Sequence, residues 1–294
     1  MNRETRIQRI QEIISRDKDN PFGKQEIPWE DGLKTMNSYL IPLELLVYNQ
    51  YNGRILSRTM SLKAQGKEID PNTKEGKKII EDLLWDSKED RNRKTLKDIE
   101  SFGQQKVGII TKDGIIIDGN RRTMLLNRID KFNYFKAVVL PVTLEENPIA
   151  IEELETRYQM GEDEKLGYNA TEKYLKAKEL YLKITQTDNI DNENLDEDVV
   201  RKISNWMGES DGEIKIYLRT MAVMDDYLEF YEYDGIYTQL DGREDQFLIL
   251  TKWLNTFYGA ESEHPRPQVG ASLRKSSHAT RSNLLYSSAS RRCS

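Results

Sequence analysis

The sequence predicts an α+β protein in which a small mixed sheet with helices is followed by an all-α C-terminal half. Short β-type runs with a hairpin turn lie between residues 107 and 142, and amphipathic helical patterns dominate residues 149–260. The apolar fraction is 37% and the charged fraction is 32%. This composition favours long, solvated helices over a compact all-β core.

Four segments follow from these patterns. Residues 1–37 are predicted to be an N-terminal helical extension, because isoleucines recur at helical spacing in its first half. Residues 38–148 contain the β-type runs, and residues 149–260 form the helical domain. The Ser- and Arg-rich segment 261–294 is predicted to be disordered. Its abrupt change of composition raises the hypothesis that it is not native sequence.

The β-rich region is predicted to form, in order, a strand, a hairpin turn, a strand, a tight turn, a helix and a strand. Lys112-Asp113-Gly114 is the hairpin signal, and Gly119-Asn120 bends the chain into the helix. The predicted strands cover 107–110, 115–117 and 135–142, and the helix covers 121–130. The predicted C-terminal helices cover 170–184, 199–207, 214–231 and 244–258.

The scarce residue types exclude several kinds of chemistry. All His and Cys residues lie beyond position 260: His264, His278 and Cys293. The first 260 residues therefore cannot form a usual zinc site, a Cys–His pair or a Ser–His pair. Their chemistry must use carboxylates, Lys, Arg, Tyr or a metal held by oxygen ligands.

Charge and hydropathy also limit the partners. The net charge is −6, and it is −10 over the first 260 residues. An acidic body disfavours non-specific DNA binding, so any DNA contact requires a local basic patch. No apolar run of about 18 residues occurs, and the first residues lack the apolar centre of a signal peptide. We expect no membrane span and a cytoplasmic location.

The segment Asp118-Gly119-Asn120-Arg121-Arg122 is the strongest candidate for a binding site. Gly119 permits a tight turn and a close backbone approach by a ligand. The following helix presents free N–H groups, and two arginines in its first turn would gain from a bound anion. Phosphate is the natural anion. The alternative is a surface turn whose arginines pair with nearby carboxylates.

The order of motifs over residues 38–225 resembles the ParB/sulfiredoxin superfamily. Gly119-Asn120-Arg121-Arg122 takes the place of the Gly-Glu-Arg-Arg box of ParB or the Gly-Cys-His-Arg box of sulfiredoxin. Segment 41–54 is similar to the first box, which ends at Arg54. Further similar segments, in the same order as in the family, are 102–110, 154–174 and 199–221.

This resemblance implies a nucleoside triphosphate site, for CTP as in ParB or for ATP as in sulfiredoxin, with Mg²⁺ bridging the phosphates. It implies nucleotide contacts from Arg54, Gly119, Asn120, Arg121 and Arg122. Asn120 departs from both families, since sulfiredoxin has its catalytic Cys there and ParB has Glu. The thiol and phosphoryl-transfer chemistry of sulfiredoxin is therefore not expected.

The main functional prediction is a ParB-like, nucleotide-responsive protein that associates with DNA and comes from a plasmid, phage or other mobile element. The alternative is an Mg²⁺-dependent ParB-like nuclease or kinase-type enzyme that uses the same pocket. Its candidate catalytic groups are Asp118, Glu162 and Glu164, with Asp163 as another metal ligand. A third interpretation is that the chain is an interaction module that binds no nucleotide.

The helix pair between residues 196 and 231 is the candidate DNA-reading element. Its available cations are Lys202, Lys215 and Arg219. The second helix begins with acidic residues, although a recognition helix usually begins with donors or basic groups. The alternative is a packing or dimerisation role, which would make the chain a homodimer.

Overall fold

The computed structural model describes residues 1–30, 32–163, 169–192 and 194–258. Within these ranges the chain forms a mixed five-stranded sheet with flanking helices, followed by a helical half, as the sequence predicts. Among the described helices, none combines the length and the apolarity that crossing a membrane requires.

The element bounds are as follows. The N-terminal helices are α1 (Arg3–Arg16), α2 (Leu56–Ala64), α3 (Lys74–Ser87), α4 (Glu89–Phe102) and α5 (Asn120–Leu126). The strands are β1 (Gly23–Trp29), β2 (Gly32–Pro42), β3 (Gly108–Ile110), β4 (Ile116–Asp118) and β5 (Tyr134–Val139). The C-terminal helices are α6 (Pro148–Asp163), α7 (Ala170–Thr185), α8 (Glu197–Met207), α9 (Asp211–Phe230) and α10 (Glu244–Tyr258). Two 3₁₀ turns cover Leu43–Leu45 and Tyr237–Leu240.

The sheet has the strand order β1-β2-β5-β3-β4. Strand β2 pairs antiparallel with β1 and with β5, and Ile41 lies opposite Phe135. Strands β3 and β5 run parallel, with β4 and α5 forming the connection between them. This connection places the β4–α5 junction at one edge of the sheet.

Each face of the sheet has its own core. On one face, Ile41 and Phe135 pack against the apolar sides of α1, α3, α4 and α5. The other face, called the α6 face here, packs against Ile151 and Leu154 of α6. Its buried strand residues are Ile27, Trp29, Ile109, Ile117 and Val138.

The N-terminal segment differs from the predicted helical extension. Helix α1 ends at Arg16, residues 23–29 and 32–42 form β1 and β2, and the predicted boundary at residue 37 falls inside β2. The physical reason is that β1 lies at the sheet edge and buries only Ile27 and Trp29. Its other residues are mostly polar and exposed, so the alternation that identifies a strand is weak.

The two halves share apolar contacts across the predicted boundary at residue 148. Leu56 of α2 belongs to the same buried cluster as Leu175 of α7 and Met221 of α9. Helix α6 follows the boundary in sequence but packs on the sheet. The boundary therefore separates two kinds of secondary structure that share apolar clusters.

Candidate functional site

The junction between β4 and α5 is built around Gly119. This residue has φ +114°, a conformation that side chains rarely adopt, and a Cβ there would lie 2.5 Å from Cζ of Phe135. The space beside Gly119 is thus filled by a core ring of the protein. The approach of a ligand at Gly119 stays a prediction, and the packing of Phe135 is a second reason why this position has no side chain.

Asn120 is buried and hydrogen-bonded to the protein on both sides of its amide. Its Oδ1 accepts the backbone N–H of Asn49 at 3.0 Å, and its Nδ2 donates to the carbonyl of Ile116 at 3.2 Å. The side chain therefore ties the segment around Asn49 to the end of the sheet. This position differs from the predicted nucleotide contact and makes Asn120 a positioning residue.

The two arginines of the motif have different partners. Nε of the buried Arg121 donates to Oδ1 of Asn92 on α4. Nη2 of Arg122 lies 2.5 Å from Oδ2 of Asp118. The two arginines therefore have separate partners in the protein, and their joint contact with one anion stays a prediction. Arg122 keeps the predicted position beside the junction, whereas Arg121 anchors α5 to α4.

A group of cations nevertheless meets at Asp118. Partial burial lowers the pKa of Lys106, the positive charges of Arg122 and Arg54 lower it further, and the charge of Asp118 opposes them. Nε of Arg122 is buried without a hydrogen-bond partner among the described residues. We call Arg54, Lys106 and Arg122 the cationic cluster. It brings together two predicted residues, Arg54 and Arg122, with Lys106, which the sequence analysis missed.

Tyr158 of α6 lies beside Lys106 of the cationic cluster. Nζ of Lys106 lies 5.9 Å from the centroid of its ring. Burial raises the pKa of the Tyr158 hydroxyl, and the charge of Asp118 raises it further. The hydroxyl therefore stays protonated near neutral pH and can donate a hydrogen bond.

A buried amide–carboxylate group holds the segment that carries Arg54. The carboxylate of Glu155 accepts from Nδ2 of Asn49 at 3.1 Å and from Nδ2 of Asn52 at 3.5 Å. Oδ1 of Asn52 accepts the backbone N–H of Arg54 at 3.3 Å. The sequence analysis missed these roles. The spacing of two asparagines in a turn was the available signal, because Asn side chains often bond to the backbone two residues on.

The candidate catalytic groups are only partly placed. Asp118 is engaged in its ion pair with Arg122. The side chains of Glu162 and Asp163, and the whole of Glu164, lie outside the described residues. The described residues contain no group of three His, Cys, Asp or Glu side chains that could hold a metal ion. Mg²⁺ in proteins is usually held by one or two carboxylates together with waters and phosphate oxygens, so a site of this kind would need only one carboxylate such as Asp118.

The candidate DNA-binding residues lie on the predicted helix–turn–helix, where α8 and α9 are joined at Gly208. Lys202 is exposed, with its Nζ 5.0 Å from the centroid of the Trp206 ring. Nζ of Lys215 forms a 2.8 Å ion pair with Glu197, and Arg219 is partly buried. Lys202 is therefore the most accessible of the three. The acidic start of α9 is a capping box in which Ser210 and Glu213 bond reciprocally.

One further contact joins the neighbourhood of Arg54 to the helical half. Helix α2 has no side-chain cap of its own, and Glu172 of α7 supplies one. Its carboxylate accepts the backbone N–H of Ser57 at 3.0 Å and the hydroxyl of Ser57 at 2.6 Å. Burial raises the pKa of Glu172 to about 7, although the hydrogen bonds from Ser57 favour the charged form.

Comparison with known proteins finds a likeness among solved structures. No protein-family model matches this chain, and no curated protein matches it. Among solved structures, the chain is similar to one described as a Pnob8-like ParB-N domain. The sequence identity is 11%, the likeness covers 77% of this chain and 83% of that chain, and the TM-score is 0.46.

Proposed function

We propose that this chain binds a nucleoside triphosphate, CTP or ATP, together with Mg²⁺, and acts as a nucleotide-responsive switch associated with DNA. The observation that carries the proposal is the cationic cluster, in which Arg122 is paired with Asp118 and the positive charges of Arg122 and Arg54 both act on Lys106. An excess of positive charge at a strand-to-helix turn is suited to a polyanion such as a triphosphate.

A phosphate group would compete with Asp118 for Arg122. The buried Nε of Arg122 offers a donor to that phosphate, and Lys106 and Arg54 add two charges nearby. The first turn of α5 adds backbone N–H groups without intrahelical partners. Asp118, once released from Arg122, is the carboxylate that would hold Mg²⁺ beside the phosphates.

In this proposal Asn120 and Arg121 hold the turn that presents Arg122 to the nucleotide. Asn120 fixes the backbone of Asn49, and Arg121 holds α5 against Asn92 of α4. Both side chains restrict the orientation of the turn that presents Arg122. Their removal is expected to weaken nucleotide binding through misplacement of this turn.

In the proposed switch, helix α2 transmits nucleotide binding to the helical half. Arg54 precedes this helix, whose start is capped by Glu172, and Oγ of Ser61 accepts the backbone N–H of Thr238 at 3.1 Å. A movement of Arg54 toward a phosphate would therefore shift α2 against the helical half. DNA association through Lys202, together with Lys215 and Arg219 once Lys215 leaves Glu197, completes the proposal.

Isothermal titration calorimetry with each of the four ribonucleoside triphosphates and Mg²⁺ tests the proposal. We expect one nucleotide to bind, and Arg122→Ala and Lys106→Gln each to weaken its binding by about 10-fold or more, since charge-assisted contacts contribute roughly 1.5–3 kcal/mol. Lys106 is exposed, so its replacement leaves the fold intact. Arg201→Ala on α8 is the matched control and should bind as the wild type does. Equal affinities for the wild type and both cluster variants would contradict the proposal.

A further inference from the structure

Part of the α6 face of the sheet lies open to solvent. Tyr134 and Lys136 share this face with Val138, because alternate residues of a strand point to the same side. Helix α6 covers Val138 but leaves the start of β5 and the end of β2 uncovered. Tyr134 is 53% exposed there, and Leu40, directly opposite Lys136, is 38% exposed.

Rings and lysines alternate across this region. Nζ of Lys136 lies 4.8 Å from the centroid of the Phe22 ring, which is itself 48% exposed. A similar pair lies at the neighbouring turn, where Nζ of Lys131 is 5.4 Å from the centroid of Phe132, but this ring packs against the core on the opposite face of the sheet. The ring of Tyr158 and Lys106 form a third pair of this kind at the cationic cluster.

Gln104 makes these pairs parts of one surface. Its side chain donates to the carbonyls of Lys106 and Lys136 and accepts the backbone N–H of Lys136. Phe132 packs beside the neighbouring Gly103. The open end of the sheet is therefore continuous with the cationic cluster.

The lysines of the open end keep their positive charge available. Nζ of Lys136 donates to the carbonyl of Gln104 at 2.9 Å. Within the described ranges, neither Lys136 nor Lys131 has a carboxylate at ion-pair distance. An apolar, aromatic surface with unneutralised cations is complementary to a ligand that offers flat rings and negative charges in alternation.

We infer that this ring–lysine surface, formed by Phe22, Leu40, Tyr134 and Lys136, binds single-stranded nucleic acid. Unpaired bases stack on exposed aromatic rings, and the adjoining phosphates contact Lys136. A duplex hides the faces of its bases, so it cannot use the rings. A second copy of the chain is a poorer occupant, because a symmetric contact would place the same lysines against each other.

Fluorescence anisotropy with a labelled oligothymidylate of about 16 nucleotides, in low salt, tests this inference. Phe22→Ala/Tyr134→Ala should weaken binding by at least ~10-fold, because stacking contributes roughly 1–3 kcal/mol per base. The control is Phe230→Ala/Tyr231→Ala, which removes rings of matching exposure, 46% and 52%, from the helical half. This control should bind as the wild type does. A duplex competitor should displace the oligonucleotide poorly.

A second variant keeps both rings and tests the charge. Lys136→Gln should weaken binding and reduce the slope of log Kd against log salt concentration by about 1. Lys97→Gln, at an exposed lysine of α4, is the charge-matched control and should leave both the affinity and the salt slope unchanged.

Three results would overturn the inference: no binding by the wild type, equal affinities for both ring variants, or an unchanged salt slope in Lys136→Gln. A fourth such result would come from light scattering, which measures the oligomeric state. If the wild type is a dimer that fails to bind the oligonucleotide, and Phe22→Ala/Tyr134→Ala is a monomer, the surface belongs to a second copy of the chain.

Discussion

Replacement of Glu172 by Gln should stabilise the chain above pH 7 and flatten the pH dependence of its unfolding. The carboxyl group is buried between α7 and the start of α2, and burial raises its pKa from the ordinary 4.5 to about 7. Gln has nearly the same shape, and its amide oxygen can still accept the backbone N–H of Ser57. The substitution therefore removes the ionisation and keeps the cap.

The sign follows from proton linkage. Between pH 4.5 and 7 the folded chain holds a proton on Glu172 that the unfolded chain releases. Stability therefore falls as the pH rises through this window, and the loss is complete above the folded pKa. The difference between the two pKa values corresponds to roughly 3 kcal/mol.

Urea unfolding followed by circular dichroism at pH 5, 6, 7 and 8 measures this effect. We expect Glu172→Gln to match the wild type within about 1 kcal/mol at pH 5 and to exceed it by about 1–3 kcal/mol at pH 8. Glu68→Gln, an exposed glutamate, is the control and should follow the wild-type pH profile. If Glu172→Gln is less stable than the wild type at pH 8, the charged form is the better cap and the reasoning fails.

Three further substitutions test the β4–α5 junction. Gly119→Ala should destabilise the fold by roughly 2–4 kcal/mol, because a Cβ would meet Phe135, and Phe135→Leu in the same chain should recover part of the loss in urea unfolding; additive losses would contradict this. Asn92→Ala should cost about 1–3 kcal/mol in the same assay, because it leaves buried Arg121 without its Asn92 acceptor; an unchanged midpoint would refute that anchor. Asp118→Asn should strengthen the binding of inorganic phosphate by roughly 10-fold in calorimetry, because the competing carboxylate is lost; unchanged affinity would show that the ion pair does not occupy the site.

Local periodicity explains which parts of the fold were predictable. Strands β3 to β5 and helices α7 to α10 lie within about four residues of their predicted bounds, since apolar periodicity and turn residues identify them. Strands β1 and β2 were missed. Strand β1 and the first residues of β2 form a hairpin at the edge of the sheet and remain mostly exposed, so their sequence carries only a weak core pattern.

The candidate site, like the fold, was only partly predictable from the sequence. The motif at the β4–α5 junction was visible in the sequence, but the direction of each side chain was not. Arg121 finds Asn92 29 residues away, and Asn49 meets Glu155 across 106 residues. Lys106 reaches the cationic cluster only because β3 lies beside β4. Contacts at such separations depend on the assembled sheet, and local pattern cannot specify them.

The junction divides its residues between the fold and the ligand. Gly119 accommodates Phe135, Asn120 fixes Asn49 and Arg121 binds Asn92, so three of the four motif residues act on the protein itself. Of the four motif residues, Arg122 alone belongs to the cationic cluster, and it is already paired with Asp118. A phosphate must therefore displace an internal carboxylate, which lowers its affinity when it arrives alone. A phosphate that arrives with Mg²⁺ gives the displaced carboxylate a new partner, so the same ion pair favours a metal-bound triphosphate over free phosphate.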